Sequence, residues 1–196
     1  MRTLAFLFLL LGGGLRSTAQ ATDAEAVHRA VKKVTDIIVH DVFSPPVASR
    51  TYAYISVAGY EAGRHAHPGY VSLVNQLRGF TAVASPEPGK KYNYTIAACH
   101  ALLLVGKAMV VSEDSLRRYD DALMTAFKKQ APNDVWQRSK LFGEQVAKDR
   151  YKETRSMPRY EVTDDPSTWK PTGPAYMKAV EPHWEQMRTF VIDSAQ

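Results

Sequence analysis

The segment from Tyr92 to Val111 sets the terms for the rest of the chain. Ile96, Ala97, Ala98, Ala101, Leu102, Leu103, Leu104, Val105, Ala108, Met109, Val110 and Val111 leave it no polar face. A helix apolar all round is stable only inside other elements or inside a membrane. His100, Gly106 and Lys107 interrupt the run, and its strictly apolar part is shorter than a span of about 18 residues. The segment reads as a central buried helix, so the remaining sequence must supply the helices that cover it.

Those helices are legible by spacing. Val27, Ala30, Val31, Val34, Ile37 and Ile38 recur at helical intervals behind Asp23, a candidate cap, and should stop near Phe43 before Ser44-Pro45-Pro46. Ser44 with the two prolines opens a second helix, whose Tyr52, Ile55, Ser56, Gly59, Tyr60 and Gly63 mark one face; the small residues predict a close helix–helix approach. Tyr70, Leu73, Val74 and Leu77 suggest a short third helix closed by Gly79. Ser112-Glu113-Asp114 starts another, with a capping hydroxyl and first-turn acids, and Leu116, Tyr119, Leu123, Met124 and Phe127 facing inward. After Pro132-Asn133-Asp134, the residues Val135, Ser139, Phe142, Val146 and Tyr151 give one more. The expectation is an all-α bundle of about six helices with a proline- and aromatic-rich irregular C-terminal segment.

That last segment begins beyond Met157-Pro158. The run from Trp169 to Trp184 holds two Trp, one Tyr and three Pro. Each proline fixes a φ angle and removes a donor, and aromatic side chains at this density clamp an irregular strand of chain onto a preformed surface.

Residues 1–21 read as a secretory signal peptide. Met1-Arg2 is positive, Leu4 to Leu11 is apolar, Gly12-Gly13-Gly14 breaks the helix and Ala19-Gln20-Ala21 fits a small-x-small cleavage site. The apolar run is too short for a stable membrane anchor. The expected mature part, residues 22–196, would then act in a periplasmic or extracellular space. Of 25 Lys+Arg against 20 Asp+Glu, only Arg2 and Arg16 fall in the leader, and the rest are well mixed. No basic stripe suggests nucleic acid as a partner. The single cysteine, Cys99, excludes an intramolecular disulfide and reads as a small buried hydrophobe.

Few residues here suggest chemistry. His65-Ala66-His67 lies in a turn with no further ligands implied nearby, so no metal is expected. His40-Asp41 at a helix end reads as a local pair or a carbonyl cap. Glu61, Glu113 and Glu144 read as helix-surface acids. Asn93-Tyr94-Thr95 is a glycosylation sequon that the start of a helix can hide. Neither a nucleophile elbow nor a phosphate-binding glycine loop occurs in the mature part.

Several stretches together resemble the N-terminal helical part of bacterial vanadium-dependent haloperoxidase-related proteins of the type 2 phosphatidic acid phosphatase superfamily. They are Val39-His-Asp-Val-Phe-Ser-Pro-Pro-Val-Ala-Ser-Arg50, Tyr52-Ala-Tyr54, Ala58-Gly-Tyr-Glu-Ala62, Ala97-Ala-Cys-His-Ala101, Val105-Gly-Lys-Ala108, Trp169-Lys-Pro-Thr172, Pro174-Ala-Tyr176, Glu181-Pro-His-Trp184 and Phe190-Val-Ile-Asp-Ser194. The resemblance implies an α-helical bundle and, for a complete member, a pocket of Lys, Arg, Ser, Gly and His that holds vanadate or phosphate. Such enzymes oxidise halides with peroxide or hydrolyse phosphate esters. The family's motifs are Lys followed after six residues by Arg-Pro, then Pro-Ser-Gly-His, then Ser-Arg with a His six residues on. This sequence contains no Arg-Pro and no Pro-Ser-Gly-His, and Ser49-Arg50 leads to Ser56 rather than to His. No catalytic residue carries over, and vanadate is implied only for the complete family member.

The expectation is an N-terminal scaffold portion of a secreted haloperoxidase- or phosphatase-like protein, inactive alone. Its partner would be a missing C-terminal catalytic half or a separate chain. Trp184 and Arg188 are the expected pocket-lining residues. The alternatives are a free-standing secreted helical interaction module and an intact enzyme with an unrelated site.

Overall fold

The computed structural model describes residues 17–151, 161–179, 184 and 187–192, with side chains from Asp23 to Lys148 within the helical part. The reading of residues 1–16 as the body of a signal peptide, and the Met157-Pro158 break, lie outside the described residues. Among them, five α-helices and one 3-10 turn occur, and no strand. The helices are α1 (Ser17–His40), α2 (Pro45–Gly63), α3 (Tyr94–Lys107), α4 (Glu113–Lys128) and α5 (Asn133–Tyr151), with the 3-10 turn at Arg64–Ala66 after α2.

Helix α3 is the axis, as its composition demands. Ile96, Ala97, Cys99, Ala101, Leu102 and Leu103 are buried, and all four other helices pack against it. Among the described residues no helix is long and apolar enough to cross a membrane. Asn93 caps α3: its side-chain oxygen accepts from the amides of Thr95 and Ile96 at 3.0 and 3.1 Å. The sequon is therefore occupied by helix capping. At the far end a Cβ on Gly106 would sit 3.2 Å from Leu116 and 3.3 Å from Val34, so α1 and α4 close over that point.

Small residues set the seams. A Cβ on Gly59 would lie 3.4 Å from Leu102 and one on Gly63 3.3 Å from Ala98, which confirms the close approach of α2 to α3. Gly143 of α5 is tighter: its Cβ would meet the Ala97 carbonyl oxygen at 2.6 Å, so the α3 and α5 backbones nearly touch. Ser139, buried just before it, accepts from the Asn93 amide at 2.8 Å and donates to the Val135 carbonyl.

Several local readings shift. The α1 backbone starts at Ser17, so Asp23 is interior to the helix rather than its cap. The buried face of α2 is Thr51, Tyr54, Ile55, Ala58 and Ala62, while Ser56 is exposed. Ser112 does not cap α4 through its side chain; its hydroxyl donates to Asp41 instead. The short helix expected over Tyr70–Leu77 is a set of turns. The reason is competition for donors: Glu61 takes the Leu73 amide, Ser72 Oγ takes the Val74 amide, and Asn75 adopts φ 61°.

Helix α1 ends in a Schellman motif. The Phe43 amide donates to Ile38 O at 3.1 Å and the Val42 amide to Val39 O at 3.2 Å. The left-handed position falls on Val42, at φ 55°, although a β-branched residue is the worst choice there. What holds it is Asp41, whose carboxylate accepts from the amides of Val111 and Ser112, each at 2.9 Å, and from the Ser112 hydroxyl. One buried carboxylate thus ties the end of α1 to the start of α4.

Candidate functional site

The irregular C-terminal segment docks on α2 through arginine and aromatic rings. Arg50 Nη2 donates to the Tyr54 hydroxyl at 2.8 Å and to the Arg188 carbonyl at 2.7 Å. Its guanidinium lies 5.1 Å from the Tyr54 ring centre, 5.5 Å from Phe190 and 5.9 Å from Trp184. The Arg188 guanidinium approaches the same pair of rings, 5.9 Å from Tyr54 and 5.7 Å from Phe190. Tyr54 and Phe190 are themselves in contact, with centroids 5.3 Å apart. Each desolvated cation–π contact is worth up to about 2 kcal/mol.

The structure thus brings Trp184 and Arg188 together around Arg50, with Trp184 exposed and Arg188 half-buried. Two guanidinium groups against one ring pair create a positive potential, the property that an oxyanion pocket needs. Arg50, however, spends donors on Tyr54 and on the Arg188 carbonyl. With the three family motifs missing from the sequence, these residues do not make up a vanadate site.

The seat under Arg188 is built by the loop after α2. Gly79, at φ 66°, lets Arg188 Cδ approach to 3.1 Å of where a Cβ would stand, and the Arg78 amide donates to Phe190 O at 2.9 Å. That loop is fixed from below by Glu61. This side chain is fully buried and accepts from Arg64 Nε at 2.8 Å, Leu73 N at 2.6 Å and Ser72 Oγ at 3.0 Å. It is not the surface acid that its helix position suggests. A buried carboxylate with a full set of donors is an organising element.

A second cluster lies between α3, α4 and α5. His100, 4% exposed, places Nδ1 2.9 Å from Asp120 Oδ1 and Nε2 3.5 Å from Glu144 Oε1. Lys140 Nζ lies 3.3 Å from the same Glu144 oxygen. Burial works to raise the Glu144 carboxyl, but the Lys140 hydrogen bond and charge, with His100, bring it below its ordinary value. Glu144 is therefore also more than a surface acid. The cluster forms the wall of a cleft of about 470 Å³.

The other candidates are quieter. His65 is half-buried against Tyr94 and Phe142, where burial and then Arg64 push its imidazole below the usual value. His67 stacks on Tyr70. No group of three metal-ligating side chains occurs among the described residues. Cys99 is fully buried, and burial pushes its thiol up to about 12, which leaves it inert. His40 pairs with Asp41 at 3.1 Å, as a local pair should. His183 lies outside the described residues.

Sequence reasoning missed Arg50, Asp120 and the buried role of Glu61. Arg50 and Tyr54 stand four apart on one helix, a spacing at which side chains meet. Asp120 sits on the inward stripe of α4, four after Leu116 and four before Met124, where an acid needs a buried partner.

No protein-family model matches the chain, and no curated protein matches it. Among solved structures, a bacterial vanadium-dependent iodoperoxidase matches at 41% identity with a TM-score of 0.72. The alignment covers 87% of this chain and 43% of that one, so the chain spans less than half the length of the protein it matches. Identity at that level across 87% of this sequence, on a similar helical framework, makes the chain similar to part of that vanadium-dependent iodoperoxidase.

Proposed function

We propose that this chain is the scaffold part of a secreted haloperoxidase-like protein, and that halide oxidation requires oxyanion-binding segments this sequence does not contain. The observation that carries the reading is the match itself: 41% identity over 87% of this chain but 43% of the iodoperoxidase. The part without a counterpart here is where the three motifs absent from this sequence belong, on the resemblance described above.

In this reading the segment from residue 161 to residue 192 is the docking face for that part. Trp169, Tyr176, Met177, Trp184, Val191 and Ile192 are all exposed there, an unusual density of large apolar side chains. Arg50, 5.9 Å from the Trp184 ring centre, contributes with Arg188 positive potential near the junction rather than direct ligands. The catalytic part is continuing sequence or a separate chain, and the leader exports the product to the periplasm or the extracellular space.

The test is reconstitution. This chain alone, supplied with vanadate, peroxide and iodide, should form no triiodide. Coexpressed with the unmatched part of the iodoperoxidase, it should copurify and give vanadate-dependent triiodide formation. Turnover by this chain alone refutes the scaffold role. A stable monomer that ignores the catalytic part favours the free-standing interaction module.

A further inference from the structure

We propose that His100 is held as an imidazolium between Asp120 and Glu144, so that one proton ties α3 to α4 and α5 and its loss loosens the seam between them.

Both ring nitrogens face carboxylate oxygens, Nδ1 at 2.9 Å and Nε2 at 3.5 Å. Carboxylates only accept, and a neutral imidazole has one N–H to give. With Nδ1–H committed to Asp120, a neutral ring would aim the Nε2 lone pair at the Glu144 carboxylate. His100 is 4% exposed, and its Nε2 has no hydrogen-bond partner that meets ordinary geometry. Water cannot easily relieve such a clash, whereas a proton on Nε2 turns it into attraction on both sides.

Charges farther out do not settle the matter. Lys107 from α3, Arg117 from α4 and Lys140 and Lys148 from α5 line the cleft. They balance Glu113, Asp120 and Asp121 of α4 and Glu144 of α5. Among the described residues, α1 and α2 contribute nothing to the cleft lining. The local pairing therefore decides, and only Lys140 competes for Glu144, at 3.3 Å.

The position of the bracket gives it leverage. Helix α5 is pinned to α3 at Gly143, where the backbones nearly touch, and at Ser139. Glu144 is the next residue, and Val146 and Ala147 beyond it are buried in the core, so the bracket and this apolar seam together hold the half of α5 that runs on through Lys148. Deprotonation leaves Glu144 to Lys140 and leaves that half held against α3 by the apolar seam alone.

The measurement is a titration of the whole chain by NMR. Ring nitrogen shifts report the protonation of His100, and the Ala147 and Val146 methyl shifts report the seam. The expected result is protons on both His100 nitrogens at mildly acidic pH, with the methyl shifts moving at the same midpoint as the ring. Two substitutions should abolish the methyl response: His100→Asn, which keeps a donor toward Asp120, and Glu144→Gln, at a side chain 28% exposed and so tolerated if the first unfolds. A ring with a bare Nε2 throughout overturns the proposal. So does a methyl titration unchanged in either variant. A shift of Nε2 on adding zinc in place of the proton overturns it as well, since the site would then be a cation site.

Discussion

Asp41→Asn should cost about 2 kcal/mol at neutral pH and progressively less as the pH falls. The Asp41 carboxylate is 3% exposed and accepts two backbone amides and one hydroxyl from Val111 and Ser112, just ahead of α4. Burial works to raise its pKa, but the Ser112 hydroxyl and amide, His40 and the Val111 amide outweigh it and lower the pKa from 3.8 to about 2. At about 1.36 kcal/mol per unit, that depression corresponds to roughly 2 kcal/mol. The sign follows from the depressed folded value: the contribution is complete above the unfolded pKa and disappears as the pH drops toward the folded one. By linkage about half of it, ~1 kcal/mol, is gone at about pH 3. Asparagine keeps one acceptor and removes the charge, so it reproduces the protonated state at every pH. Urea unfolding of both proteins from neutrality down to about pH 3 measures the difference. A deficit near ~2 kcal/mol that shrinks by about half is the expected result. A deficit that stays constant with pH refutes the electrostatic account and leaves only a packing defect. A deficit below about 0.5 kcal/mol, the range of an ordinary surface change, refutes the tie between α1 and α4 itself.

Three further substitutions probe the same framework by the same unfolding assay. Val42→Gly should stabilise by about 1 kcal/mol, since φ 55° at an exposed Schellman position is cheap for glycine and costly for a β-branched side chain; no gain would mean that Val42 makes compensating contacts. Gly143→Ala should destabilise by about 1–3 kcal/mol, because the new methyl meets the rigid Ala97 carbonyl rather than a flexible side chain. Glu61→Ala should cost about 3–5 kcal/mol by orphaning the Leu73 amide and the Arg64 guanidinium, with Glu61→Gln milder. The Glu61 change should also alter Trp184 fluorescence, because the loop that Glu61 fixes is the seat of Arg188; a silent tryptophan would disconnect the two.

The fold is readable from sequence because it rests on periodicity. An apolar segment with no polar face requires a cover, and four amphipathic segments of the right length supply it. Gly59 and Gly63 announce a close approach, but the tightest contact, at Gly143, carries no such signal. One glycine in an otherwise ordinary amphipathic stretch does not say which carbonyl it will meet. The loop from Tyr70 to Leu77 misleads for a definite reason. Its hydrophobic spacing is helical, yet the Glu61 carboxylate, back on α2, intercepts the Leu73 amide that a helix needs. The paired roles of Asp41, His100 and Asp120 are illegible for the same reason, since each finds its partner on a different helix or at the start of one. Trp184 and Arg188 stand out by composition, but the arginine that gathers them, Arg50, lies at the other end of the chain.

That last separation has a bearing on how the protein is made. Once Tyr151 has left the ribosome, all five helices exist and the bundle can close. The stretch that reaches Phe190 follows only after several tens of residues more, which takes about 2–8 s at ordinary elongation rates. For those seconds Arg50 and the ring of Tyr54 face water with neither the carbonyl nor the ring that later covers them. A nascent chain therefore presents one aromatic, cationic patch at a defined moment of synthesis. A chaperone that binds nascent chains would find it there and lose it when the segment docks.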